Sequence, residues 1–395
     1  MAAPLASLKV LDFTSLLPGP YATMVLADLG AAAVRIESAN RPDMVRDLQP
    51  FDGDISAWHG VLNRNKRSLA LDLKRPEATE VVRRLVEGGY DIVIEQFRPG
   101  VMDRLGIGYE ALRAINPGLI YGSLTGYGQS GPLRNRAGHD LNYLALSGAL
   151  SYGGRQETGP SPMGIQVADI GGGAFGALVG LLAAVVHRSV SGQGQYVDIS
   201  MFDMMVAWQA HLISQTLVGG ETPQPETMSL NGGQVYDLYE TADQRWLAVG
   251  TIEAKFWEGF CRAIERPDLV APGASADPGQ RAWVKDEIRQ VMASRALADW
   301  AGLFEPLDVC VEPVLTVPEM LDHPQVVARG LVVDVPRPDG GTQRQVASPW
   351  RFSEGSAEYR HAGVALGVDT REVLAGAGYS PEEIEAFISA GVASA

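Results

Sequence analysis

The chain has 395 residues, 46% of them hydrophobic and 20% charged, which places it among ordinary globular proteins and excludes wholesale disorder. Its net charge of −15 argues against generic binding to nucleic acid or anionic membranes. Cys261 and Cys310 are its two cysteines, too few for a disulfide framework and without the spacing of a structural zinc site. They fit a reducing compartment, and the N-terminal stretch lacks the basic and apolar regions of a secretory signal, so a cytoplasmic location is expected.

In chain order, the first 125 residues alternate two textures. "LKVLDFT", "AAVRIE", "SLALDL", "YDIVIEQ" and "LIYGSLT" are short, β-branched apolar runs bounded by turn residues, and each predicts a strand. "PYATMVLADLG" and "EATEVVRRLVEGG" lie between them with apolar residues at helical spacing. Strands separated by helices imply right-handed parallel crossovers, hence a Rossmann-like, doubly wound α/β sheet. The first strand runs into "TSLLPGPYA" and not G-x-G-x-x-G, so a nicotinamide dinucleotide is not expected. The N-terminal third is nearly neutral in an acidic protein, and its densest basic run, "NRNKRS" (Asn63 to Ser68), fits either a solvated loop or an anion site.

Further on, "IGGGAFGALVGLLAAVV" (Ile170 to Val186) is uncharged and just long enough to span a bilayer. Its five glycines, its flanking Asp169 and His187–Arg188 and its lack of an aromatic belt favour a buried helix. "GQYVDISMFD" predicts another strand, with a helix after it. The Gly/Pro-rich stretch 219–234 reads as a linker between a large α/β domain (1–218) and a smaller α+β domain (235–318). The small domain opens with a hairpin turning at "ADQR" and closes with the strand "CVEPVLT". Residues 319–395 are expected to return to the large domain.

Four positions are candidates for chemistry. His139, in "AGHDLNYLALSG", is either a general base or a core histidine with a hydrogen bond. Asp169 stands before the glycine-rich helix start, where aspartate is a favoured N-cap. The same place gives a carboxylate beside free backbone N–H groups, which suits a proton carrier or a nucleophile. The N–H groups around Gly171 are candidate oxyanion donors, although Gly171 to Gly173 equally fit close helix packing. Glu253 opens a helix after an apolar strand, as the helix dipole favours. Arg98, in "EQFRPG", closes a strand at the edge where α/β sheets bind ligands, and it fits a phosphate or a surface ion pair. No ligand cluster for a metal is visible, and no metal, flavin or nicotinamide is expected.

These motifs together resemble the class III coenzyme A-transferases, and within them most of all the α-methylacyl-CoA racemases. The resemblance rests on "ADLGA", "RNKRSLALDLK", "EQFRPGVMDRLG", "TGYGQSGP", "GHDLNY", "GQYVDISMFD" and "CVEPVL", in that order. His139 matches the racemases' histidine in "GHD", where transferases resemble "GYD" or "GND". Glu253 matches their glutamate in "VG-x-IE-x-x-F", while Asp169 is common to both groups. "LNGGQVYDLYE" lacks the transferases' long glycine run, and "RIESANRP" is longer than the family's R-I-D-R-P, which leaves Arg41 as its matching arginine.

The resemblance implies an acyl-CoA substrate and no cofactor beyond its CoA moiety. It places CoA along Arg41, Arg64, Lys66, Arg67, Leu71, Lys74, Phe97, Arg98 and Arg104, with Asp140 anchoring the thioester end or the protein backbone. It implies inversion at C2 of a 2-methylacyl thioester, with His139 and Asp169 exchanging protons and Glu253 orienting the histidine. It also implies an interlocked homodimer in which Glu253 meets His139 across subunits. The alternative is CoA transfer between carboxylic acids through an aspartyl–CoA intermediate at Asp169. A non-catalytic acyl-CoA-binding protein is the third class.

Overall fold

The apolar runs of the N-terminal half pair as anticipated in a computed structural model that describes residues 3–395. The spatial order is Arg67–Leu71, Ala32–Glu37, Lys9–Phe13, Ile92–Glu95, Ile120–Thr125 and Tyr196–Ser200, all parallel. Ala393–Ser394 adds an antiparallel edge beside Arg67–Leu71. Numbered along the chain, the parallel strands run 3-2-1-4-5-6, the doubly wound order. The strands lack polar alternation because helices cover both faces; Ile92–Glu95 and Ile120–Thr125 are buried throughout. Leu11 stands in register with Val34 on one side and Val93 on the other.

The sheet belongs to a first compact unit comprising the chain up to Ser147, Gly164–Trp208 and Gln325–Ala395. On one face Leu11, Val34, Leu69 and Val93 pack against Val82 and Leu85 of the helix Pro76–Glu87. Val373, Leu374 and Ile384 of two C-terminal helices join the same core, tying the end of the chain to this unit. The glycine-rich segment forms one long helix, π-helical over Ala168–Phe175 and α-helical over Gly176–Ser191. By length and composition it is able to cross a membrane, and half of its apolar window is buried. It lies so close to the sheet that a Cβ on Gly180 would stand 2.9 Å from Val197 Cγ1.

The second unit is Gly148–Met163 with Gln209–Pro324. Its sheet is antiparallel, Val311–Pro313 beside Trp246–Val249 beside Asp237–Glu240. The hairpin closes through Thr241 N donating to Arg245 O at 2.8 Å, with Gln244 at φ 58°. Tyr239, Leu247, Trp257, Phe260, Ile288 and Trp300 form its core.

The sequence boundaries differ from this division at 148–163, 209–218, the linker 219–234 and 319–324, all of which fall in the second unit. Residues 148–163 were expected in the large domain, yet they belong to the second unit because Arg155 pairs with Asp237 at 2.7 Å and Glu226 at 3.0 Å. The supposed linker is likewise fastened there: Asn231 Nδ2 donates to Tyr152 O at 3.0 Å, and Lys285 pairs with Asp237 at 2.7 Å while its amino group bonds Gly232 O.

Candidate active site

The loop ahead of His139 is clamped by one aromatic ring. Tyr143 donates its hydroxyl to Gly138 O at 2.6 Å, and Cβ atoms on Gly126 or Gly138 would meet the Tyr143 ring at 2.5 and 2.7 Å. Glycine at both places lets the ring lie flat on the backbone. His139 then precedes the helix Asp140–Leu146, and its N–H donates to Asn142 Oδ1 at 3.0 Å. The imidazole is exposed, which removes the reading of His139 as a core histidine.

Asp140 settles how Asp169 is placed. Its Oδ1 accepts the N–H groups of Ala168 at 2.6 Å and of Asp169 at 3.0 Å, so it serves the helix start from 28 residues away. Asp169 therefore is not an N-cap; it is the second residue of the π-helical turn, and π-turns recur at functional sites. Those two N–H groups are thereby engaged by Asp140. The glycines that follow answer to packing. A Cβ on Gly171 would stand 2.2 Å from the Trp208 ring, and one on Gly173 would stand 2.8 Å from Pro18 Cβ.

Asp169 is half-buried, and its carboxyl is pushed from the ordinary 3.8 up to about 6. Burial is the largest cause, the charge of Asp140 adds to it, and His139 pulls the other way. Burial pushes the Tyr143 hydroxyl up as well, with the Asp169 charge contributing. Asp169 thus shares one electrostatic neighbourhood with His139, Tyr143 and Asp140. Near neutral pH the Asp169 carboxyl populates both protonation states, as a reversible proton carrier needs. Tyr143 was not singled out from the sequence, although the "DLNY" that follows the histidine contains it.

Glu253 lies in the second unit, exposed, immediately before the helix Ala254–Ala263.

The basic residues expected to hold CoA divide into two groups. Arg41, Lys74, Arg98 and Arg104 are exposed, and Arg67 is half-buried between Tyr90 and Glu372. Arg64 and Lys66 are corrected: both are 1% exposed and committed inside the fold. Arg64 pairs with Asp28 at 2.6 Å and donates to Gln345 and Val346 O; Lys66 pairs with Asp12 at 3.1 Å and donates to Pro20 O and Asn63. "NRNKRS" is therefore largely an interior turn and not a phosphate cradle. Leu71 is also buried, at a strand end, while Phe97 is half-buried against the sheet core.

Arg98 follows Ile92–Glu95 where the strand order reverses beside Lys9–Phe13, the place where such sheets take ligands. Gln96 joins the two loops there, accepting Gly19 N–H at 3.3 Å. Among the described residues, no group of three or more His, Cys, Asp and Glu side chains is arranged to hold a metal, and both cysteines are free.

Residues 5–370 match the model of CoA-transferase family III. The chain belongs to that family. The α-methylacyl-CoA racemase of Mus musculus is 36% identical over 390 residues, covering 96% of this chain and 95% of its own length. The succinyl-CoA:mesaconate CoA-transferase of Haloarcula hispanica is 37% identical over 370 residues, covering 89% and 90%. A solved CAIB/BAIF family protein from Brucella suis superposes with a TM-score of 0.83 at 28% identity, covering 95% of this chain and all of that one. Membership of family III makes this chain an enzyme of CoA-transferase or racemase type acting on acyl-CoA. Racemases and transferases stand side by side among these relatives, so membership leaves the choice of reaction open.

Proposed function

We propose that this family III enzyme inverts C2 of 2-methylacyl-CoA thioesters, with His139 and Asp169 as the two proton carriers. The observation that carries the reading is the bond from Asp169 N–H to Asp140, the residue next to the exposed His139, which brings a half-buried carboxyl and an exposed imidazole to one place. One group removes the C2 proton, the C–H electron pair moves onto the thioester oxygen, and the other group delivers its own proton to the opposite face. After each turnover the two have exchanged protonation states, which the reverse reaction requires. Positioned acid–base groups supply roughly 10²–10⁴-fold each. Glu253, brought in by a second subunit of an interlocked homodimer, would hold the imidazolium by its charge. CoA would lie on the first unit, with Arg98 on its phosphates and Arg41, Lys74, Phe97 and Arg104 around it.

CoA transfer is the second reading, and the comparisons favour it. The family takes its name from transfer, and transferases are well represented among the relatives. There the Asp169 carboxylate would attack the thioester carbonyl and expel CoA thiolate, leaving a mixed anhydride. The thiolate would then attack the Asp169 carbonyl, release the donor acid as its carboxylate and leave aspartyl–CoA, from which an acceptor carboxylate takes CoA by the same steps in reverse. A 2-methylacyl-CoA incubated with enzyme in D₂O separates the two. Deuterium entering C2 without any acceptor acid supports inversion. CoA moving only when a free acid is added, with C2 untouched, replaces it with transfer.

A further inference from the structure

We infer that Glu95 is a positioning residue for CoA, its carboxylate fixing the loop that carries Phe97 and Arg98. The inference rests on the reading that this loop receives CoA. At Glu95 the chain leaves the sheet, and the next backbone N–H groups have no strand to pair with. Glu95 Oε2 accepts the N–H of Phe97 at 2.7 Å, and the adjoining Gln96 ties the same loop to Gly19. Arg98 O then accepts Val101 N–H at 3.1 Å, with Gly100 turning the chain at φ 78°. The strand before it is Ile-Val-Ile, so an acid buried to 5% exposure here is costly unless its hydrogen bonds are used.

A cavity of about 250 Å³ is lined in part by Glu95. Arg98, Asp103, Tyr109, Glu110, Tyr121 and Tyr196 are the charged and titratable groups that line it with Glu95. Ser123 stands in register with Glu95 on the neighbouring strand, and its hydroxyl favours the charged form of the carboxyl. Burial pushes Glu95 up to about 7 and the Asp103 charge adds to this, while Ser123 and the Phe97 N–H oppose it. A charged acceptor holds a backbone N–H roughly twice as strongly as a neutral one. Ionisation therefore tightens the loop, and protonation leaves its ordering to be supplied on binding. CoA affinity should rise as pH passes upward through about 7.

Calorimetric titration of the full-length protein with CoA between about pH 6 and pH 8 tests this. CoA's own phosphate titrates in the same range, so Glu95→Gln, whose amide oxygen still accepts the Phe97 N–H, is the reference. Wild type should gain about tenfold more affinity across the range than Glu95→Gln does. Ser123→Ala should move the midpoint of that extra gain to higher pH, since it removes a donor that favours the carboxylate. Glu95→Ala should bind about tenfold more weakly at the upper end; if it fails to fold, the comparison with Gln still decides. Equal slopes for wild type and Glu95→Gln, or a steeper loss of affinity in wild type as pH rises, overturn the inference alone. No CoA binding by wild type at any pH overturns the acyl-CoA reading and this inference with it.

Discussion

Asp169→Asn should stabilise the protein, and the gain should depend on pH. The Asp169 carboxyl is raised from 3.8 to about 6 because burial and the neighbouring Asp140 disfavour its charge. In the unfolded chain it ionises near its ordinary value. Between those two values the folded state holds a proton that the unfolded state has released, so stability falls as pH rises through that window. Below about pH 4 the penalty is absent; above about pH 6 it is complete. Taken at face value the rise corresponds to about 3 kcal/mol. The group is half-buried, and solvent screening reduces the figure to about 1–2 kcal/mol. The asparagine keeps the shape and removes the charge. Thermal melts of both proteins at about pH 4 and pH 8 measure the effect: the variant should melt a few degrees higher at the upper pH and show little difference at the lower. A variant that is less stable at pH 8, or equally stabilised at both, would refute the assignment of a strained, functional carboxyl.

Three further outcomes follow from the same geometry. Asp140→Ala removes the acceptor for two helix-start N–H groups and should cost about 2 kcal/mol by urea unfolding, whereas Asp140→Asn should shift the acid limb of the pH–rate profile to lower pH by lifting a charge from Asp169. Arg98→Ala should raise KM for an acyl-CoA about tenfold with kcat at saturation kept, as steady-state kinetics will show; an unchanged KM removes Arg98 from the site. Lys66→Met leaves Asp12 buried and unpaired, so unfolding should show a loss of about 3–5 kcal/mol, while a soluble variant of full stability with a raised KM would return Lys66 to CoA binding.

What the sequence displayed, and what it hid, follows from how far each determinant reaches. The strands were legible because β-branched runs such as "YDIVIEQ" carry their own local signal, and the doubly wound order follows from their alternation with helices. The site was legible where a motif is local: His139 and Asp140 sit together in "GHD", and Asp169 marks the helix start. The partners of these residues were not. Lys66 and Arg64 read as surface charges because their carboxylates, Asp12 and Asp28, lie 54 and 36 residues away. Asp140 reads as an anchor for either the thioester end or the protein backbone, and only its bonds to Ala168 and Asp169 place it on the backbone. The glycine run pointed equally to an oxyanion site and to packing, and the close approach of Trp208 to Gly171 supplies the packing reason. Residues 148–163 change units on the strength of the Arg155–Asp237 pair, which no periodicity announces. Glu95, an acid ending an apolar strand, was a legible anomaly that drew no functional assignment.

The two-base account at C2 is tested most directly by following deuterium exchange of the separate (2R)- and (2S)-2-methylacyl-CoA enantiomers with His139→Ala and Asp169→Asn. If each base meets the hydrogen of one configuration only, as that account requires, each variant should lose interconversion and retain slow exchange with a single enantiomer, opposite for the two. A His139→Ala enzyme that still interconverts the enantiomers near the parent rate would contradict the account.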